Sequence, residues 1–105
     1  MSKKKKVYFT ITGLHYYYGT GVISPGTKVR LHKEPKNEYD SEAIRVEMKG
    51  LGKIGYVANS PHTVLGESYS AGRMYGLMGK KGKGKVVAVS ERGAIAVLKE
   101  NGGFY

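Results

Sequence analysis

The sequence predicts a mainly β protein with one short α-helix. Three features carry that prediction: β-branched and aromatic runs alternate with polar residues at period two, 16 glycines stand against three prolines, and a single stretch opens like a helix. At 105 residues the chain is long enough to bury one core and too short for two. Residues 1–6 read as a basic tail, 7–100 as one domain and 101–105 as a loose tail.

Val7-Tyr8-Phe9-Thr10-Ile11-Thr12 is the first expected strand, with Gly13 at a bulge or bend behind it. If the strand alternation continues, Tyr16 and Tyr18 share one face and Tyr17 takes the other, so the three rings cannot all be core. A glycine-rich turn from Gly19 to Gly26 leads into Thr27–His32, where Val29 and Leu31 face inward. Glu34-Pro35-Lys36-Asn37 is a turn, Ala43–Met48 a third strand and Lys53–Val57 a fourth. Ser60-Pro61 pairs a capping residue with proline at the first helical position, which places the short helix through Thr63-Val64-Leu65 to Ser68. Lys85–Ser90 and Ala94–Lys99 are two further strands around the turn Glu91-Arg92-Gly93. Before them, Lys80, Lys81, Lys83 and Lys85 are spaced by glycines; the segment reads either as a mobile phosphate-gripping loop or as an ordinary solvated hairpin.

Lysine and arginine exceed acids by 18 to 8, a net charge of +10 that attracts polyanions, nucleic acid first among them. No run approaches the roughly 20 apolar residues of a spanning helix, and no basic amphipathic helix is visible. The lack of cysteine excludes disulfides and thiolate metal sites, and the basic start has no apolar segment behind it. The expectation is a cytoplasmic monomer that uses no cofactor.

Asp40 is the one aspartate in the chain, beside Tyr39 in Asn37-Glu38-Tyr39-Asp40. A carboxylate repels phosphate, so it suits a place where a terminal hydroxyl must be accepted; the same residue also fits an Asx turn closed on its own backbone. Tyr16, Tyr39, Tyr17 and Tyr56 offer flat rings on which a base would gain about 1–3 kcal/mol, though each ring also suits a small β core. His15, His32 and His62 lack ligand spacing, no carboxylate pairs with a histidine as in a metal-dependent nuclease, and Gly79–Gly84 lacks the ending of a phosphate-binding loop. These residues point to binding without turnover.

At these clusters the sequence resembles the HIRAN domain. The resemblance rests on Gly13-Leu14-His15-Tyr16-Tyr17, Gly26-Thr27-Lys28-Val29-Arg30-Leu31, Glu34-Pro35-Lys36-Asn37-Glu38-Tyr39-Asp40, Ala43-Ile44-Arg45-Val46 and Ile54-Gly55-Tyr56-Val57. It implies an OB-like barrel of about six strands with a small helix, binding single-stranded DNA at its 3′-hydroxyl end. Tyr16 and Tyr39 would hold the terminal bases and Asp40 would accept the hydroxyl. His15 stands where the characterised eukaryotic member has an arginine, and Asn59 where it has a phosphate-contacting lysine. The late aromatic that walls the family's pocket falls near Val89 to Arg92, where this chain has no ring. Arg92, the lysines Lys80, Lys81 and Lys83, or the tail residues Phe104 and Tyr105 are the substitutes to look for. A general RNA or DNA binder without end recognition, and a protein-interaction adaptor, are the competing readings.

Overall fold

The computed structural model describes residues 6–99. Six antiparallel strands, β1 (Tyr8–Thr12), β2 (Lys28–Lys33), β3 (Ile44–Met48), β4 (Gly52–Val57), β5 (Lys81–Ser90) and β6 (Gly93–Lys99), close into a barrel in the order β1-β4-β3-β2-β5-β6. The alternation read from the sequence decides which residues point in: Phe9 and Ile11, Val29 and Leu31, Ile44 and Val46, Ile54, Val86, and Ala94, Ala96 and Leu98 form the core. The register shifts between Val46 and Glu47 and between Val86 and Ala88. Such bulges sharpen bend and twist, which a sheet this small requires to meet its own edge.

Five strands begin within one residue of their expected starts, but β5 starts at Lys81 instead of Lys85. The lysine-glycine segment is therefore sheet and not a mobile loop. Its glycines are there for closeness: a Cβ on Gly84 would lie 2.9 Å from Cζ of the buried Phe9 ring. Phe9 reaches across the barrel into the space that a side chain on β5 would otherwise fill.

The expected helix after Ser60 does not form. Ser60 O accepts from Thr63 N–H and Val64 N–H, closing one turn, and Gly66 then adopts φ +57°, which helices of L-residues do not continue through. The outer face of β1 explains the diversion. Buried Thr10 bonds through its hydroxyl with Leu65 N–H (3.0 Å) and Ser68 Oγ (2.7 Å), and Tyr69 N–H donates to Tyr8 O, which holds residues 65–69 along β1. The helix instead follows, as α1 (Ala71–Tyr75), capped by Ser70 Oγ and contributing Ala71 and Met74 to the core. No helix among the described residues is long and apolar enough to cross a membrane.

Candidate nucleic-acid interface

After β1 the chain does not continue as a strand. Gly13 turns it at φ +78° into a 3₁₀ turn over Leu14–Tyr16, with Leu14 buried as the anchor. The expected split of the tyrosines between two faces is thus overturned: residues 15–18 are all exposed, Tyr16 at 77%. The His15 ring lies 4.0 Å from that of Tyr16, Lys53 Nζ sits 5.4 Å from the Tyr17 ring centre, and the Tyr18 hydroxyl donates to Leu51 O.

Between β2 and β3, Asn37 builds the second cluster. Its Oδ1 accepts from Tyr39 N–H (2.8 Å) and Asp40 N–H (3.1 Å), closing a tight turn that leaves the Tyr39 ring 92% exposed. Nothing packs that ring, so folding has no use for it. The Asp40 carboxylate divides its work. Oδ1 accepts from Glu42 N–H (2.9 Å), the Asx arrangement anticipated from sequence, while Oδ2 accepts from Asn59 Nδ2 (3.0 Å). Each oxygen accepts two bonds, so one position on Oδ2 stays open toward a further donor.

Asn59 is held in turn: its Oδ1 accepts from Gly72 N–H (2.8 Å) at the start of α1, and its Nδ2 also reaches Glu42 Oε1 (3.3 Å). It ties the Asp40 turn to α1. Tyr56, expected as a stacking surface, is half-buried with its hydroxyl donating to Glu34 Oε1 (2.9 Å) and accepting from Lys53 Nζ (3.1 Å). Burial pushes the Tyr56 hydroxyl's pKa up, and the bond that Lys53 donates to Tyr56 pushes that of Lys53 up.

Glu34, which sequence reading passed over as a turn residue, is the hub. It accepts from Asn37 Nδ2 (3.0 Å), Tyr56 Oη (2.9 Å) and Arg45 Nη1 (2.9 Å). Burial raises its pKa, but these bonds and the Arg45 charge outweigh burial and hold the carboxyl below its ordinary value. A continuous set of contacts therefore runs from the Asp40 turn through Asn37, Glu34, Tyr56 and Lys53 to the Tyr17 ring, next to Tyr16. Strand alternation gives the outward position of Arg45, but its place opposite Tyr56 comes from the β3–β4 register.

Arg92 is exposed in the β5–β6 turn, Lys80, Lys81 and Lys83 are exposed on or beside β5, and none of the four takes part in the Asp40 hydrogen bonds to Glu42 and Asn59. Phe104 and Tyr105 lie outside the described residues. No group of three His, Asp or Glu among the described residues is arranged to hold a metal.

The sequence model of the HIRAN domain matches residues 4–94. The chain belongs to the HIRAN domain family. Its fold is that of a HIRAN domain as well: it is similar to the HIRAN domain of human HLTF at TM-score 0.59 and 21% identity, over 89% of this chain and 74% of that one. A Lactobacillus plantarum protein superimposes at TM-score 0.60 and 24% identity, over 90% and 93% of the two chains. The helicase-like transcription factors of Oryctolagus cuniculus and Mus musculus are 40% and 38% identical over 47 residues, 45% of this chain but 4% of those proteins. The likeness to those helicase-like proteins is confined to their HIRAN part. A HIRAN domain is a nucleic-acid-binding module.

Proposed function

We propose that this HIRAN domain is a non-catalytic module that captures single-stranded DNA at its 3′-hydroxyl end. Terminal bases stack on Tyr16 and Tyr39, and Asp40 Oδ2 accepts the hydroxyl. The observation that supports it most is the Asp40 carboxylate, oriented by Glu42 N–H and Asn59 Nδ2 with acceptor capacity left over, one residue from a 92% exposed ring. A terminal phosphate at the same point would set anion against anion, so the carboxylate selects by repulsion as well as by bonding. The network through Glu34 supports one rigid site, because it links the elements that carry the two rings.

The test is fluorescence anisotropy with oligonucleotides that differ only in a 3′-hydroxyl or a 3′-phosphate. The hydroxyl form binds more tightly, and Asp40→Ala removes that difference. Equal affinity of the wild-type protein for both ends refutes the role given to Asp40.

A further inference from the structure

The outer face of β2 and β5 carries a second feature. Their register sets Lys28 opposite Lys85, Arg30 opposite Lys83 and His32 opposite Lys81, and β6 adds Lys99 opposite Lys83. Arg30, Lys83 and Lys99 thus form a row of cations across three adjacent strands, with neighbouring Cβ atoms about 5 Å apart. Like charges placed directly opposite destabilise a sheet, so folding alone does not account for this arrangement.

The neighbouring β2–β3 face is different. There Glu47 lies 2.6 Å from Arg45 Nε and 3.4 Å from His32 Nε2, so its charge is largely compensated. Lys28, Arg30, Lys81 and Lys83 have no carboxylate partner among the described residues. All four are exposed. Alternate residues along β5 repeat every ~6.7 Å, so Lys81, Lys83 and Lys85 extend over about 13 Å as a line, not a round patch.

The line also connects to the site. Lys81 pairs with His32, His32 with Arg45 and Arg45 with Tyr56, which makes one outward row across four strands. Three interstrand steps put Lys81 about 14 Å round the wall from Tyr56.

We infer that the β2–β5 face is a track for the internal phosphates of a nucleic-acid strand, engaged without any strand end. A linear series of cations, joined to Tyr56 of the site network by one outward row of the sheet, fits a continuing polynucleotide better than a flat lipid surface. The inference rests on the nucleic-acid reading above, but not on end capture by Asp40.

The decisive ligand is circular single-stranded DNA, which has no end to capture. The triple variant Lys28→Gln/Lys81→Gln/Lys83→Gln removes three exposed cations and relieves like-charge pairs, so its melting temperature stays at or above that of the wild type. Each lost contact lowers the magnitude of the log–log salt slope by about 0.7, roughly 5-fold in affinity at 0.1 M salt, or about 100-fold for the triple variant. Its preference for 3′-hydroxyl over 3′-phosphate ends is retained, whereas Asp40→Ala loses that preference and keeps its affinity for the circle. Undiminished circle binding by the triple variant overturns the track, as does a wild-type protein that ignores circles. Anionic phospholipid vesicles bound more tightly than circular DNA, with loss in the triple variant, would assign the face to membranes and overturn it too.

Discussion

Replacing Gly84 by alanine tests whether the lysine-glycine segment is packed sheet. The added Cβ would lie 2.9 Å from Phe9 Cζ, 3.2 Å from Phe9 Cε1 and 3.1 Å from Val97 O. Carbon atoms in favourable contact sit about 3.5–4.0 Å apart, so the ring must retreat by roughly 0.6–1 Å. Phe9 is fully buried against Ile11, Leu31 and the rest of the core, and has nowhere to go without disturbing them. Overpacking of this kind costs about 1–3 kcal/mol, and the lower chain entropy of unfolded alanine offsets about 0.4–1 kcal/mol. Taking the middle of both ranges, the net loss of about 1.3 kcal/mol lowers the melting temperature by roughly 5–10 °C in a domain of this size. Thermal unfolding followed by circular dichroism measures it, with Gly79→Ala as control because a Cβ there meets nothing within 4 Å. Phe9→Leu combined with Gly84→Ala should lose less than the two single variants together, since the shorter side chain vacates the contested space. A Gly84→Ala protein that melts with the wild type or above it refutes the packing argument and returns the segment to a flexible hairpin.

Tyr39→Ala leaves stability within about 0.5 kcal/mol, because the ring packs against nothing, while single-stranded DNA affinity falls by about 1–3 kcal/mol in anisotropy titrations. Asn59→Ala removes the bonds that orient Asp40 and join it to α1; urea unfolding should register about 1–3 kcal/mol, and the preference for hydroxyl ends should shrink with it. Glu34→Gln makes stability less sensitive to acid. The Glu34 carboxyl titrates below its ordinary value in the folded protein, so its contribution is present above the ordinary carboxylate range and disappears as pH falls through the lowered value. Urea midpoints measured from neutral to acid pH should therefore show the gap between wild type and variant closing as pH drops.

The strands were legible because period-two alternation is a local property: Val29 and Leu31, or Ile44 and Val46, declare their inner face without reference to the rest of the chain. The lysine-glycine segment was not, since glycines look flexible until Phe9, 75 residues earlier than Gly84, is known to occupy their space. Ser60-Pro61 is a sound helix start in isolation; Thr10 on β1 captures the following residues and defeats it. The five-residue α1 contains a glycine and too few turns to display a helical period. In the site, Tyr39 and Asp40 stand out by residue type, whereas the bond between Asp40 and Asn59 and the convergence of Asn37, Arg45 and Tyr56 on Glu34 depend on strand pairing. The cation rows were hidden for the same reason: strand register, and not chain order, sets Lys28 against Lys85.

Closure of the barrel has a last consequence for how this protein can meet others. With β6 paired back onto β1, each strand has a neighbour on both sides, and much of the ladder of main-chain donors that would welcome a foreign strand is engaged, the β1–β4 seam being the shortest at two paired positions. Recognition then falls chiefly to side chains projecting from the wall and the turns. Such a surface can change its partner by single substitutions while the scaffold beneath it stays as it is.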